Sequence, residues 1–209
     1  MLDLLMDGAD HAVTELAEHA RVASSTASAH VASLAEAGFV EVHAQGRQRR
    51  VRLTGPKVAR ALEGLAAIAT APADVSSFTE SISRRQLAAA RTCYDHLAGR
   101  LGVAIADGLV RRRALVSHDG VFALSEVAAE VLRPMGIDVD DVRGARRAVV
   151  VGCADWTEGR PHVAGALGSS LCSLLLGTGA IRKRRGTRAV VLTEAGAGFL
   201  RDHLGLALP

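Results

Sequence analysis

Two stretches in the first quarter of the chain carry side chains suited to binding a nucleic acid. The candidate residues are Ser24, Ser25, Thr26, Ser28, His30, Gln45, Arg47, Gln48, Arg49 and Arg50. A helix that begins with small polar residues can enter the major groove, and its N-terminus attracts phosphate. Arginine binds flanking phosphates in bidentate fashion. Either feature alone is common on a solvated surface, but together they predict binding to double-stranded DNA.

A second group of candidates combines thiols with imidazoles in the other half of the chain. Cys93 lies close to His96, and Cys153, Trp156 and His162 lie together further along. Thiolates and imidazoles bind soft metals or metalloids, and a thiolate of lowered pKa reacts with electrophiles or oxidants. Trp156 can wall a pocket for a small organic ligand. The alternative is that the cysteines are small buried hydrophobes and that the histidines bind helix ends.

The local pattern around the first candidates predicts a helix–turn–helix followed by a hairpin. A short amphipathic helix runs to about Ala20, and Ser24 or Ser25 can cap the next helix, which Gly38 closes. "FVEVHAQ" and "RQRRVRL" then predict two strands around Gly46. Pro56 fits the first turn of a further helix with a one-sided apolar stripe.

The second half contains an internal repeat. "HLAGRLG" at residues 96–102 recurs as "HVAGALG" at residues 162–168. The i, i+3 spacing of Cys93 and His96 predicts that they share one face of a helix. If the repeats pack with pseudo-twofold symmetry, that symmetry relates His96 to His162 and brings Cys93 towards Cys153.

These patterns predict a mainly α protein with small β-hairpins, of the α+β class. We expect a winged helix–turn–helix domain at residues 1–69 and a linker with a helix at residues 70–90. Residues 91–209 are expected to form a C-terminal lobe of two winged-helix-like units, at about residues 91–140 and 153–209.

The composition limits the classes of function. Aromatic residues are only 3% of the chain, which argues against stacking on single-stranded bases. No apolar run is long enough to span a membrane, and the N-terminus lacks a secretory signal, so we expect a cytoplasmic protein. The three cysteines are odd in number and far apart, and we expect free thiols, with Cys172 buried.

Residues 2–69 resemble the winged helix–turn–helix of ArsR-type bacterial repressors. The matching stretches are "TELAEHA", "SSTASAHVASLAEAGFVEV" and "GRQRRVRLTG". Further along, "RTCYDHLAG" and "CADWTEGRPHVAGALG" are similar to the C-terminal half of a longer ArsR-type subgroup. The resemblance implies a homodimer that presents one recognition helix, about residues 24–37, to each half-site of an operator.

Some features depart from the family pattern. Arg21 stands where the turn usually has glycine, and Ala23 stands where the recognition helix usually has serine. Only "MLDLLMDG" precedes the motif, so either the true start lies upstream or dimerisation relies on residues 56–69 and the C-terminal lobe. The helix "VTELAEHA" lacks the paired cysteines of metal-sensing relatives, and residues 56–69 offer only Glu63. Metal sensing at those two family sites is therefore not expected.

The preferred hypothesis is a dimeric transcriptional repressor that leaves its operator when a small effector changes the C-terminal lobe. The effector would be a soft metal ion, an electrophile or an organic ligand. One alternative is a thiol- or metal-dependent enzyme centred on Cys93 and His96 or on Cys153 and His162, although no nucleophile-elbow, phosphate-loop or metalloprotease motif is present. The other is an architectural DNA-binding protein without an effector.

Overall fold

The computed structural model describes residues 1–46, 48–68 and 78–208. Arg47 of the predicted hairpin tip and residues 70–77 of the predicted linker lie outside the described residues. The chain forms helices and small antiparallel sheets, so the predicted α+β class is confirmed. Within the part of the chain that the structure describes, no helix combines the length and the apolar character needed to cross a membrane.

The N-terminal unit is built around one three-stranded antiparallel sheet. Its elements are α1 (Leu2–Leu5), β1 (His11–Ala12), α2 (Val13–Ala20), α3 (Ser24–Glu36), β2 (Val40–Gln45), β3 (Gln48–Leu53) and α4 (Pro56–Ile68). The strand order is β1-β3-β2. Leu5 of α1, Leu16 of α2, Val31 of α3 and two strand valines, Val40 and Val51, form its core. Helices α2 and α3 with the β2–β3 hairpin therefore make a winged helix–turn–helix.

The turn between α2 and α3 has the backbone that the family pattern requires. Arg21 is left-handed, with φ 55°, at the position where glycine would be least strained. Helix α3 begins at Ser24, its N-cap is Ala23, and no side chain caps it. The predicted cap at Ser24 or Ser25 is therefore wrong, because both residues already lie inside the first turn.

The C-terminal lobe contains the sequence hairpin, helix, hairpin, helix twice. Its elements are α5 (Phe78–Ala89), β4 (Arg91–Cys93), β5 (His96–Ala98), α6 (Gly99–Arg111), β6 (Leu115–His118), β7 (Val121–Leu124), α7 (Ala128–Leu132), α8 (Val139–Gly144), β8 (Val151–Ala154), β9 (Pro161–Ala164), α9 (Gly165–Gly177), β10 (Ile181–Lys183), β11 (Val190–Leu192) and α10 (Glu194–Leu204). One apolar core runs through both copies and includes Leu109 of α6, Leu167 of α9 and Leu200 of α10.

The two copies exchange contacts across the middle of the lobe, because α6 packs on β9 and α9 packs on β5. Glycines allow this close approach. A Cβ on Gly102 would lie 3.4 Å from the Cβ of His162, and one on Gly168 would lie 3.1 Å from the Cβ of His96. Each histidine thus sits over a glycine of the other copy, as a pseudo-twofold arrangement requires.

Arg188 joins the two units. Its backbone N–H donates to the carbonyl of Asp7 at 2.7 Å, and its Nε donates to the carbonyl of Met6 at 2.7 Å. Its Nη1 donates to Oε1 of Glu63 on α4 at 3.0 Å. One side chain therefore contacts α4 and the turn after α1 together.

Candidate functional site

The predicted recognition helix presents its polar candidates to solvent. Ala27 and Val31 face the core with 0% and 1% exposure. The exposed residues of α3 and its start include Ser24, Ser25, Thr26, Ser28 and His30. The leading face of α3 is thus small and polar, and none of the described residues covers it.

The two described arginines at the end of the wing differ in exposure and in ion pairing. Gln45, Gln48 and Arg49 are exposed at the end of the β2–β3 hairpin. Arg50 is half-buried, and its Nη1 lies 3.3 Å from Oε1 of Glu15. Arg49 is therefore available to an external phosphate, whereas Arg50 is already bound to the protein's own acid.

Two hairpins of the C-terminal lobe bring the thiol and imidazole candidates into one group. The possible ligand atoms of Cys93, His96, Cys153 and His162 all lie within 4.8 Å of one another. Cys93, His96 and His162 are buried and Cys153 is half-buried. The ring centroids of the two histidines are 5.1 Å apart.

The predicted helix through Cys93 and His96 is wrong. Cys93 ends β4 and His96 begins β5, and the two residues are directly paired across the hairpin. Tyr94 is left-handed in the turn, with φ 63°, which a helix would not accept. Cys153 and His162 are paired in the same way across β8 and β9. The two hairpins therefore present equivalent Cys–His pairs to each other.

The two thiols of this group differ in acidity. The neighbouring Cys153 sulfur raises the pKa of Cys93, and burial and the carboxylate of Glu63 add to the rise. The neighbouring Cys93 thiol lowers the pKa of Cys153 against the effect of burial, and the imidazoles of His162 and His96 lower it further. Cys153 therefore loses its proton more readily than Cys93 does.

A buried ion pair supports the second hairpin. Nη2 of Arg91 lies 3.1 Å from Oδ1 of Asp155, and both side chains are fully buried. Burial opposes ionisation of Asp155, but His162, Arg91 and further hydrogen-bond donors outweigh it and hold the pKa of that carboxyl below its usual range. The ring of Trp156 lies 4.9 Å from the Arg91 guanidinium carbon. Trp156 therefore packs on this ion pair.

Glu63 is a site residue that the sequence did not reveal. Its side chain is only 2% exposed, and the Sγ–H of Cys93 donates to its Oε2 at 2.7 Å. Glu63 belongs to α4, so it carries a contact from the Cys–His group into the N-terminal unit. No local pattern marks it, because only the packing of α4 against β4 and β8 buries this carboxylate.

The winged helix–turn–helix and its exposed polar face define a DNA-binding protein. Residues 1–42 match the family model described as "Bacterial regulatory protein, arsR family". A curated relative from Bacillus subtilis (strain 168), named "Uncharacterized HTH-type transcriptional regulator YdfF", is 38% identical over 204 residues, covering 98% of this chain and 90% of the relative. The chain therefore belongs to the HTH-type transcriptional regulators and carries an ArsR-family DNA-binding domain, which confirms the resemblance. No solved structure matches the chain.

Proposed function

We propose that this regulator is a dimeric, sequence-specific repressor of the cytoplasm that leaves its operator when an effector acts on the C-terminal lobe. The observation that carries the proposal is the exposed leading face of α3. Its core side is fixed by Ala27 and Val31, and its opposite side offers short hydrogen-bonding groups. A helix of this kind fits the major groove, where base edges differ between sequences.

The positions of the side chains suggest which of them contact the bases and which contact the DNA backbone. Ser25 and Ser28, near the start of α3, are suited to base edges and the phosphates beside them. Arg49 on the wing is suited to the flanking backbone, where its contribution is independent of sequence. Arg47 is proposed for the same role on its residue type alone.

Two exposed apolar side chains on α4 support dimerisation through this helix. Leu65 is 62% exposed and Ile68 is 78% exposed, and they lie i, i+3 on the same side of the helix. Burying such residues against a second copy would remove apolar area from water. In a dimer formed this way, α4 sets the spacing of the two recognition helices, which must match half-sites about one DNA turn apart.

An effector at the C-terminal lobe can reach α4 through the Cys93–Glu63 and Arg188–Glu63 contacts. The enzyme hypothesis centred on Cys93 and His96 has no comparable support, since the Cys93 sulfur is buried and already donates to Glu63. The architectural hypothesis predicts that no effector changes the affinity for DNA, whereas our proposal predicts that an effector lowers it.

The test is a fluorescence-anisotropy titration of the full chain on a duplex from upstream of its own gene, with a scrambled duplex beside it. We expect specific binding to be at least about 1,000-fold tighter than binding to the scrambled duplex. Ser28→Ala should reduce this ratio. Ser33→Ala is the matched control, because both hydroxyls are exposed on α3 and donate to the carbonyl four residues earlier, at 2.8 Å and 3.2 Å. Equal ratios for the two variants would contradict the proposed recognition face.

A further inference from the structure

The Cys–His group of the C-terminal lobe has the composition of a tetrahedral metal site. The geometry points to one Zn²⁺-class ion bound by Cys93, His96, Cys153 and His162, and to control of DNA affinity by that ion through Glu63. The metal site stands on its own, whereas its regulatory role rests on the function proposed above. Two sulfurs and two imidazole nitrogens are a ligand set typical of zinc, and unsuited to magnesium or calcium.

The four ligand atoms are nearly close enough to share an ion. Zinc bonds of about 2.3 Å to sulfur and about 2.0 Å to nitrogen make tetrahedral edges of roughly 3.3–3.8 Å. The ligand atoms already lie within 4.8 Å of one another, so the longest edge must shorten by no more than about 1.5 Å. Two paired hairpins can provide this by small side-chain rotations, because each hairpin fixes its own Cys–His pair.

Each histidine of the group has a carboxylate close to its Nδ1 atom. Nδ1 of His96 is hydrogen-bonded to Oδ1 of Asp95 at 3.3 Å, whereas Nδ1 of His162 lies 3.1 Å from Oδ2 of Asp155 without hydrogen-bond geometry. The Nε2 atom of each ring is buried and has no hydrogen-bond partner among the described residues. A carboxylate bonded to one ring nitrogen, with the other nitrogen unpartnered, is the arrangement found around metal-binding histidines, and His96 has it.

The charges around the group suit a divalent ion held by two thiolates. Glu63 and Asp155 are balanced by Arg91 and Arg188, through contacts of 3.6 Å, 3.1 Å and 3.0 Å. Binding forms two metal–sulfur and two metal–nitrogen bonds, and any proton on the two sulfurs or on the two ligating imidazole nitrogens leaves to solvent. The ion with two thiolates and two neutral imidazoles is a neutral group, so it does not disturb these ion pairs.

The same bonds connect the ion to the DNA-binding unit. A metal–sulfur bond at Cys93 replaces the S–H group that donates to Glu63 at 2.7 Å. Glu63 then loses a donor and faces a coordinated sulfur, so α4 must adjust. Since α4 carries Leu65 and Ile68, the adjustment changes the proposed dimer and lowers its affinity for the operator.

Metal binding is tested on the full chain, freed of metal by a chelator under reducing conditions and titrated with Co²⁺. We expect one Co²⁺ per chain, the visible bands of tetrahedral cobalt, a thiolate-to-cobalt charge-transfer band, and displacement by Zn²⁺. Cys93→Ser and Cys153→Ser should each weaken the charge-transfer band. Cys172→Ser is the matched control, because this buried thiol lies on α9 outside the group. A missing cobalt spectrum in the wild type, or an equal loss in the control, would overturn the site.

A variant of a residue outside the four ligands tests the site even if the cysteine variants fail to fold. Asp95 is partly exposed and bonded to Arg147, so Asp95→Asn should fold normally. It should weaken Zn²⁺ binding about 10- to 100-fold, as expected when the carboxylate behind a ligating histidine is changed. Unchanged Zn²⁺ affinity in this variant would contradict the proposed ligand geometry at His96.

Regulation is tested by operator binding with and without one equivalent of Zn²⁺. We expect Zn²⁺ to weaken operator binding by about 5- to 150-fold, the usual range for coupled sites, and Glu63→Gln to reduce this ratio while keeping the cobalt spectrum. An operator affinity that Zn²⁺ does not change, in a protein that gives the cobalt spectrum, overturns the regulatory role. A cobalt spectrum without operator binding in either state overturns the proposed function, and operator binding without a cobalt spectrum overturns the metal site.

Discussion

Replacing Arg49 with alanine should reduce the salt dependence of DNA binding without abolishing sequence preference. Arg49 is exposed on the wing and available to a phosphate, and a dimer would present two copies. Losing two phosphate contacts changes the slope of log affinity against log salt by about 1.8. Between about 50 and 200 mM salt, the variant should therefore lose roughly 12-fold less affinity than the wild type.

The matched control is Arg50→Ala, one residue further along the same strand. The guanidinium of Arg50 lies 3.3 Å from the Glu15 carboxylate, so its charge is already compensated within the chain. Anisotropy titrations at several salt concentrations should give a near wild-type slope for Arg50→Ala and a shallower slope for Arg49→Ala. A wild-type slope for Arg49→Ala, or an equal change in both variants, would refute the assignment of Arg49 to the phosphate backbone.

Three further predictions concern packing, assembly and pH. Gly168→Ala should destabilise the fold by about 1–3 kcal/mol, because its Cβ would lie 2.4 Å from a carbonyl oxygen; Gly177→Ala, in open space on the same helix, should not lower the melting temperature. Combined Leu65→Glu and Ile68→Glu changes should give monomers in sedimentation velocity, and an intact dimer would show that α4 is not the interface. Burial opposes the charge on His11, but Asp7 and Glu15 outweigh it and raise the pKa of His11 above 6.5. The stabilising contribution of His11 is therefore complete below about pH 6.5 and is lost as the pH rises through the folded-state pKa, so thermal melts of His11→Gln should depend less on pH over that range than those of the wild type.

The helix–turn–helix was predictable because its signals are local. The apolar spacing of α2 and α3, Gly38 after the recognition helix, the strands around Gly46 and Pro56 at the start of α4 each act within a few residues. The cap at Ser24 or Ser25 failed as a prediction because the chain reaches helical geometry directly after Ala23. A side chain already inside the first turn cannot take the capping position.

The Cys–His group was predictable only in part. The repeat indicated that His96 and His162 occupy equivalent positions, and the structure brings both into one group with Cys93 and Cys153. The helix predicted there was wrong because i, i+3 spacing also suits two residues paired across a two-residue turn. Asp155, distant in sequence, accepts the N–H of Gly99 at 2.6 Å where α6 begins, which fixes the end of the first hairpin.

By itself, the sequence determined the class of the protein and the elements of its helix–turn–helix, since turn residues and apolar spacing act over short distances. Only the tertiary structure decided that Glu63 meets Cys93 and that Arg188 contacts both α4 and the turn after α1. Such contacts depend on how whole elements pack, and a charged residue on a helix gives no local sign that its neighbour will be a buried thiol. The connection between the Cys–His group and the N-terminal unit is therefore a property of the folded chain.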